Sequence, residues 1–151
     1  MDNRHLKMLK DLLYSENEEY IVSQIRGMEN SLFLHIIAAN YNWDNGFKVP
    51  YQIINNSNCD LGTALMLFYN ADGFRFLQSY SDFTSSSQDN WKEFLVYLYR
   101  KIENNEYALQ KIGYTPEIGK LQIYKIRKTN PYIPGTILEG SPGNKVEIPL
   151  F

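Results

Sequence analysis

Three features of the sequence predict an all-α fold. Apolar residues recur at three- and four-residue spacing in segment after segment, helix-capping residues stand in front of those segments, and four of the six prolines lie at or after residue 131. At 151 residues the chain has the size of one domain, and a fold of that length buries roughly 70% of the surface its unfolded chain exposes. The expectation is a single domain of residues 1–151: a compact bundle of six to seven helices over 1–130, and a Pro/Gly-rich tail over 131–151, extended or folded as a small β-hairpin, packed on its surface.

The elements follow in order. Leu6, Leu9 and Leu13 form one helical stripe, and Ile21, Ile25 and Met28 a second. Glu16, Glu18 and Glu19 fit the positive N-terminal end of that second helix. From about Asn30 to Ala39 the chain is apolar almost all round, as in a helix packed on several sides. Asn40 to Gly46 is dense in turn formers, and a short helix is expected after Pro50. Asp60 can cap a helix striped by Leu61, Ala64, Leu65 and Phe68, which Gly62 weakens and which ends near Asp72-Gly73. Beyond a polar loop through Ser85, Ser86 and Ser87, Asn90 and Glu93 have capping-box spacing before Trp91, Phe94, Leu95, Leu98 and Ile102.

Thr115-Pro116-Glu117 reads as the start of a last helix carrying Ile118, Leu121 and Tyr124 and ending near Lys128, with a strand as the minor reading. In the tail, Ser141-Pro142-Gly143-Asn144 suits a turn that pairs Thr136–Glu139 with Lys145–Ile148. The cap candidates Asn30, Asp60 and Asn90 recur every 30 residues. That recurrence suggests stacked helix pairs, although the side chains between the anchors match poorly.

Composition narrows the class. Apolar residues make up 44% and charged residues 21%, which is ordinary for a globular chain and far from disorder. A lone cysteine, Cys59, leaves no internal disulfide, and the polar N-terminus lacks the apolar core of a signal peptide. With no apolar run near 18 residues, these features read as a cytoplasmic protein that does not engage a membrane. Residues 1–90 carry 6 Lys/Arg against 11 Asp/Glu and residues 91–151 carry 9 against 6. The acidic first part argues against nucleic-acid binding. Lys120, Lys125, Arg127 and Lys128, with Tyr124 and Tyr132, form a cationic aromatic strip that reads as a solvated helix face.

The segment Tyr41-Asn42-Trp43-Asp44-Asn45-Gly46-Phe47, followed by Asn58-Cys59-Asp60-Leu61-Gly62-Thr63-Ala64-Leu65 and Ala71-Asp72-Gly73, resembles the bacterial family of domain of unknown function 4274. The core of that family looks like an Asn-Trp-Asp-X-Gly signature followed by a Cys-Asp segment and an Ala-Leu helix. The resemblance covers roughly residues 30–80. It implies a grouping and no activity, so no functional residues carry over.

The residues themselves offer two readings of Asp44. Its carboxylate closes an Asx turn while Trp43 anchors the loop, or it meets a partner. His35, mid-helix among aliphatics, reads as a hydrogen-bonded interior residue. No C-x-x-C, H-x-x-x-H or phosphate-loop pattern is present, so no metal, cofactor or catalytic set is expected. The function expected is a non-enzymatic bacterial protein-interaction module of the kind that includes immunity proteins, which bind and inhibit a cognate toxin. Tyr41, Asn42, Trp43, Asp44 and Asp72 are its candidate partner-binding residues. The alternative is a small hydrolase or ligand-binding enzyme with Asp44, Asp60, Asp72, His35 and Cys59 around one pocket.

Overall fold

The computed structural model describes residues 1–80 and 89–151. The serine loop at 85–87 lies outside them. Among the described residues are nine α-helices: α1 (Asn3–Leu13), α2 (Glu18–Arg26), α3 (Ser31–Asn40), α4 (Lys48–Ile54), α5 (Leu61–Asn70), α6 (Gly73–Gln78), α7 (Asn90–Glu103), α8 (Lys120–Thr129) and α9 (Gly135–Glu139). A single 3-10 turn, Trp43–Asn45, stands between α3 and α4. The fold is all-α and compact. More helices are present than the six to seven expected because α6 and α9 have six and five residues, too short to write a periodic stripe.

Capping sets most of the boundaries. Asp2 accepts from the His5 N–H, Asn17 from Tyr20, Asn30 from Leu32 and Phe33, and Asp60 from Gly62. On α7 the cap is Asp89, which accepts from the Lys92 N–H, so the helix opens one residue ahead of the Asn90 cap read from the sequence. Pro50 does not precede α4 but sits in its first turn, where a missing N–H leaves no intrahelical bond unmade. α8 begins at Lys120 behind Gly119, whose N–H donates to Gln122 Oε1, and not at Thr115.

α5 is the centre. Leu61 through Phe68 are all buried, and α5 packs against α3, α4, α6 and α7, while α1 lies on α3 and α2 on α4. The segment 107–114 runs across the N-terminus of α5. Tyr107 donates its hydroxyl to the Ile54 carbonyl, and Leu61 N–H donates to the Leu109 carbonyl. Both oxygens of Asp60 are used there: Oδ1 caps α5, and Oδ2 accepts from Lys111 N–H at 2.7 Å and Ile112 N–H at 3.2 Å. Gly62 is what allows this approach, since a Cβ there would lie 2.0 Å from the Ile112 carbonyl oxygen. The residue that looks like a weak point of α5 is therefore required by its neighbour.

The expected tail hairpin does not form. Thr136–Glu139 belongs to α9, which begins behind Pro134 and stops at Gly140, at φ 103. Its Ile137 and Leu138 are buried in the core, an anchorage that a surface strand would forgo. Asn144 forms instead an isolated parallel bridge with Ile112. The last residues return to α3, where Asn40 donates to the Pro149 carbonyl and accepts from Phe151 N–H.

Candidate functional site

The loop closing α3 is built from within. Tyr41 is buried and donates its hydroxyl to the Gly46 carbonyl at 2.6 Å, and burial pushes its phenol up to about 12. Asn42 Oδ1 accepts from the Asp44 N–H. The Asx turn is thus made by Asn42, and the carboxylate of Asp44 does not close it. Trp43 lies half-buried in a nest of rings, with centroids at 5.4 Å from Tyr41, 6.0 Å from Phe47 and 5.9 Å from Phe94. Asn42, Asp44 and Asn45 are left exposed, and among the described residues the Asp44 carboxylate makes no hydrogen bond or ion pair. Asp72 occupies a separate corner, between α5 and α6, exposed and in the left-handed region at φ 67. The signature loop and Asp72 therefore lie on separate turns of the chain, one after α3 and one between α5 and α6.

Beside the loop the α1–α2 turn completes a cleft of about 530 Å³, lined by Tyr14, Glu16, Glu18, Tyr41 and Asn45 over an apolar base of Leu13, Ile21 and Val49. Tyr14 is 63% exposed at its edge. Lys48 Nζ lies 3.1 Å from Glu19 and 3.9 Å from Glu18, while Glu16 has no ion-pair partner among the described residues. The mouth of the cleft is consequently acidic. In the sequence, Glu16 and Glu18 serve only the dipole of α2, and nothing local shows that the turn holding them meets a loop some 25 residues further on.

The remaining chemistry-bearing residues are interior. His35 is 2% exposed and its Nδ1 bonds Thr63 Oγ1 at 2.9 Å; burial drives the ring down to about 4, against the pull of Asp60. Cys59 is buried, its thiol pushed far up by burial, and the sulfur hydrogen-bonds the Asp60 carbonyl. Asp60 is 1% exposed with its oxygens committed as described. His35, Cys59 and Asp60 are thus packed inside while Asp44 and Asp72 face solvent on separate loops, so the five do not share one pocket. Among the described residues no three His, Cys, Asp or Glu side chains group as a metal site, and no helix is long and apolar enough to cross a membrane. On α8, Arg127 pairs with Glu139 at 2.7 Å, whereas Lys120, Tyr124, Lys125 and Lys128, and Tyr132 beyond the helix, are exposed.

Residues 29–103 match the family model described as domain of unknown function DUF4274. The match runs from the residue before the α3 cap to the end of α7, further than the signature alone reaches. No curated protein and no solved structure matches the chain.

Proposed function

We propose that this chain, a member of the DUF4274 family, is a non-enzymatic protein-interaction module whose contact surface is the signature loop and the acidic cleft beside it. The observation that carries the reading is the division of labour within the loop. Tyr41 spends its hydroxyl, Asn42 its amide oxygen and Trp43 its ring on holding it, while the side chains of Asp44 and Asn45 are exposed and make no hydrogen bond or ion pair among the described residues. A surface fixed beforehand loses little conformational freedom on binding. Its charge favours a basic partner segment, with Tyr14 as an aromatic contact at the rim. Within this class we favour an immunity protein that neutralises a bacterial toxin, which the acidic first part of the chain also suits. In that reading the partner residues are Asp44 and Asn45 with Glu16 and Tyr14, while Tyr41, Asn42 and Trp43 support them.

Affinity purification from the cells that make the protein, followed by mass spectrometry, is the test. A single stoichiometric partner is expected, with binding that weakens by about 30-fold, roughly 2 kcal/mol, in Asp44→Lys/Glu16→Lys at unchanged melting temperature. If the partner is a toxin, stoichiometric addition of the protein abolishes its activity. Absence of a stoichiometric partner, or equal binding by the charge-reversed variant, overturns the proposal.

A further inference from the structure

A second cleft, of about 570 Å³, opens where the C-terminal third of the chain folds back over the DUF4274 region. Met66, Tyr69 and Phe74 line it from α5 and α6, Tyr114 and Ile118 from the segment leading into α8, and Ile148 and Leu150 from the last residues. It shares no residue with the acidic cleft beside the signature loop.

The walls are fixed by bonds to parts of the chain outside the cleft. Tyr69 donates its hydroxyl to the Ile137 carbonyl of α9. Tyr114 is held at both backbone groups by Ser141: its N–H donates to Ser141 Oγ at 2.9 Å, and its carbonyl accepts from Ser141 N–H at 2.9 Å. The two rings stand nearly parallel, with centroids 6.0 Å apart and planes 26° from each other. Such a ring-lined cavity lies within the size range of small-molecule sites, roughly 300–1,000 Å³.

The polar groups around it select the ligand. Of the lining residues only Glu117 is charged, and its carboxylate makes no hydrogen bond or ion pair among the described residues. It sits near enough to the Tyr114 phenol to reinforce the rise that burial imposes there. Asn70 and Gln122 add amides, and Gln122 already spends its oxygen on the Gly119 N–H, which leaves its NH2 group. Lys120, three residues beyond Glu117, does not line the cleft. Aromatic faces carry negative potential and attract cations, and an unpaired carboxylate does the same. An anion would meet both, with only the neutral amide donors of Asn70 and Gln122 in its favour.

We propose that this cleft binds a small organic cation, a protonated amine carried on an apolar body. The body lies against Phe74, Met66 and the paired tyrosines, and the ammonium group faces Glu117. The site spans the family region and the C-terminal third, so it belongs to the folded chain as a whole and not to the DUF4274 segment by itself.

The test uses two probes of one shape and opposite charge, phenethylammonium and 3-phenylpropionate, titrated into the full chain and followed by two-dimensional NMR. The ammonium probe is expected to saturate, with shifts centred on Tyr69, Phe74 and Tyr114, and the carboxylate probe to bind at least tenfold more weakly. Glu117→Gln, at an exposed position, should keep the wild-type melting temperature and weaken the ammonium probe by about tenfold or more. Tyr114→Leu should weaken both. Equal binding of the two probes, no saturation by the ammonium probe up to about 10 mM, or an unchanged dissociation constant in Glu117→Gln overturns the proposal. None of these outcomes touches the partner surface at Asp44, which is tested by a different ligand at different residues.

Discussion

Asp60 joins two parts of the chain that are fifty residues apart, so its replacement tests the architecture at one point. Three N–H groups depend on it, those of Gly62, Lys111 and Ile112, at 2.9, 2.7 and 3.2 Å, and the side chain is 1% exposed. In Asp60→Ala all three lose their acceptor, those of Gly62 and Ile112 in the interior and that of Lys111 where it is part-buried. A stranded donor costs about 1–3 kcal/mol, and a lost helix cap about 1, so the cap and the two further donors together are expected to cost about 3–7 kcal/mol, a large fraction of the 5–15 kcal/mol that holds a domain together. Asp60→Asn should cost less, about 1–3 kcal/mol, because its one amide oxygen serves either the cap or the 111–112 pair but not both. Urea denaturation followed by circular dichroism at 222 nm measures the order wild type, Asn, Ala. Amide exchange at Lys111 and Ile112 should quicken in the alanine variant. An alanine variant within about 1 kcal/mol of wild type would refute the reasoning, and so would an asparagine variant as damaged as alanine.

The core and its titration give two further expectations. Leu34→Ala on α3 and Phe68→Ala on α5, both fully buried, should each cost on the order of 2–5 kcal/mol through lost burial and the cavity left behind, and thermal melts showing less than about 0.5 kcal/mol would contradict the assigned helix faces. His35 gives a pH signature: its ring is held down to about 4 when folded and returns to about 6.5 when unfolded. The unfolded chain therefore takes up a proton that the folded one refuses, so stability is intact above about pH 6.5 and declines as pH falls toward 4, by about 3 kcal/mol at the lower end. Denaturation curves of wild type and His35→Gln between those pH values should converge as the pH drops, and parallel curves would show that the ring does not titrate as argued.

What was legible in the sequence depended on how local its cause is. α3 and α5 are readable because nearly every side is apolar, and their caps, Asn30 and Asp60, bond N–H groups two or three residues away. Trp43 is readable as an anchor because its ring partners Tyr41 and Phe47 lie within four residues. Of the two readings of Asp44, turn closure belongs instead to Asn42, two positions earlier: Asn42 and Asp44 have the same turn chemistry, and only the geometry decides which one accepts the bond.

The C-terminal third was read least well because non-local bonds override its local signals. Thr115-Pro116-Glu117 has the composition of a helix start, yet Tyr114 just before it is tied at both backbone groups to Ser141, and the helix waits until Lys120. Thr136–Glu139 has strand-forming residues, but burying Ile137 and Leu138 side by side needs a helical turn, since adjacent residues of a strand point to opposite faces. Both candidate sites inherit this dependence. The acidic cleft needs the α1–α2 turn to meet the signature loop, and the ring-lined cleft needs Tyr69, Tyr114 and Ile148 together, with Tyr114 bonded to Ser141 and Tyr69 to α9. The loop could therefore be singled out from its residues, while the clefts that would give it a partner and the chain a ligand exist only in the completed fold.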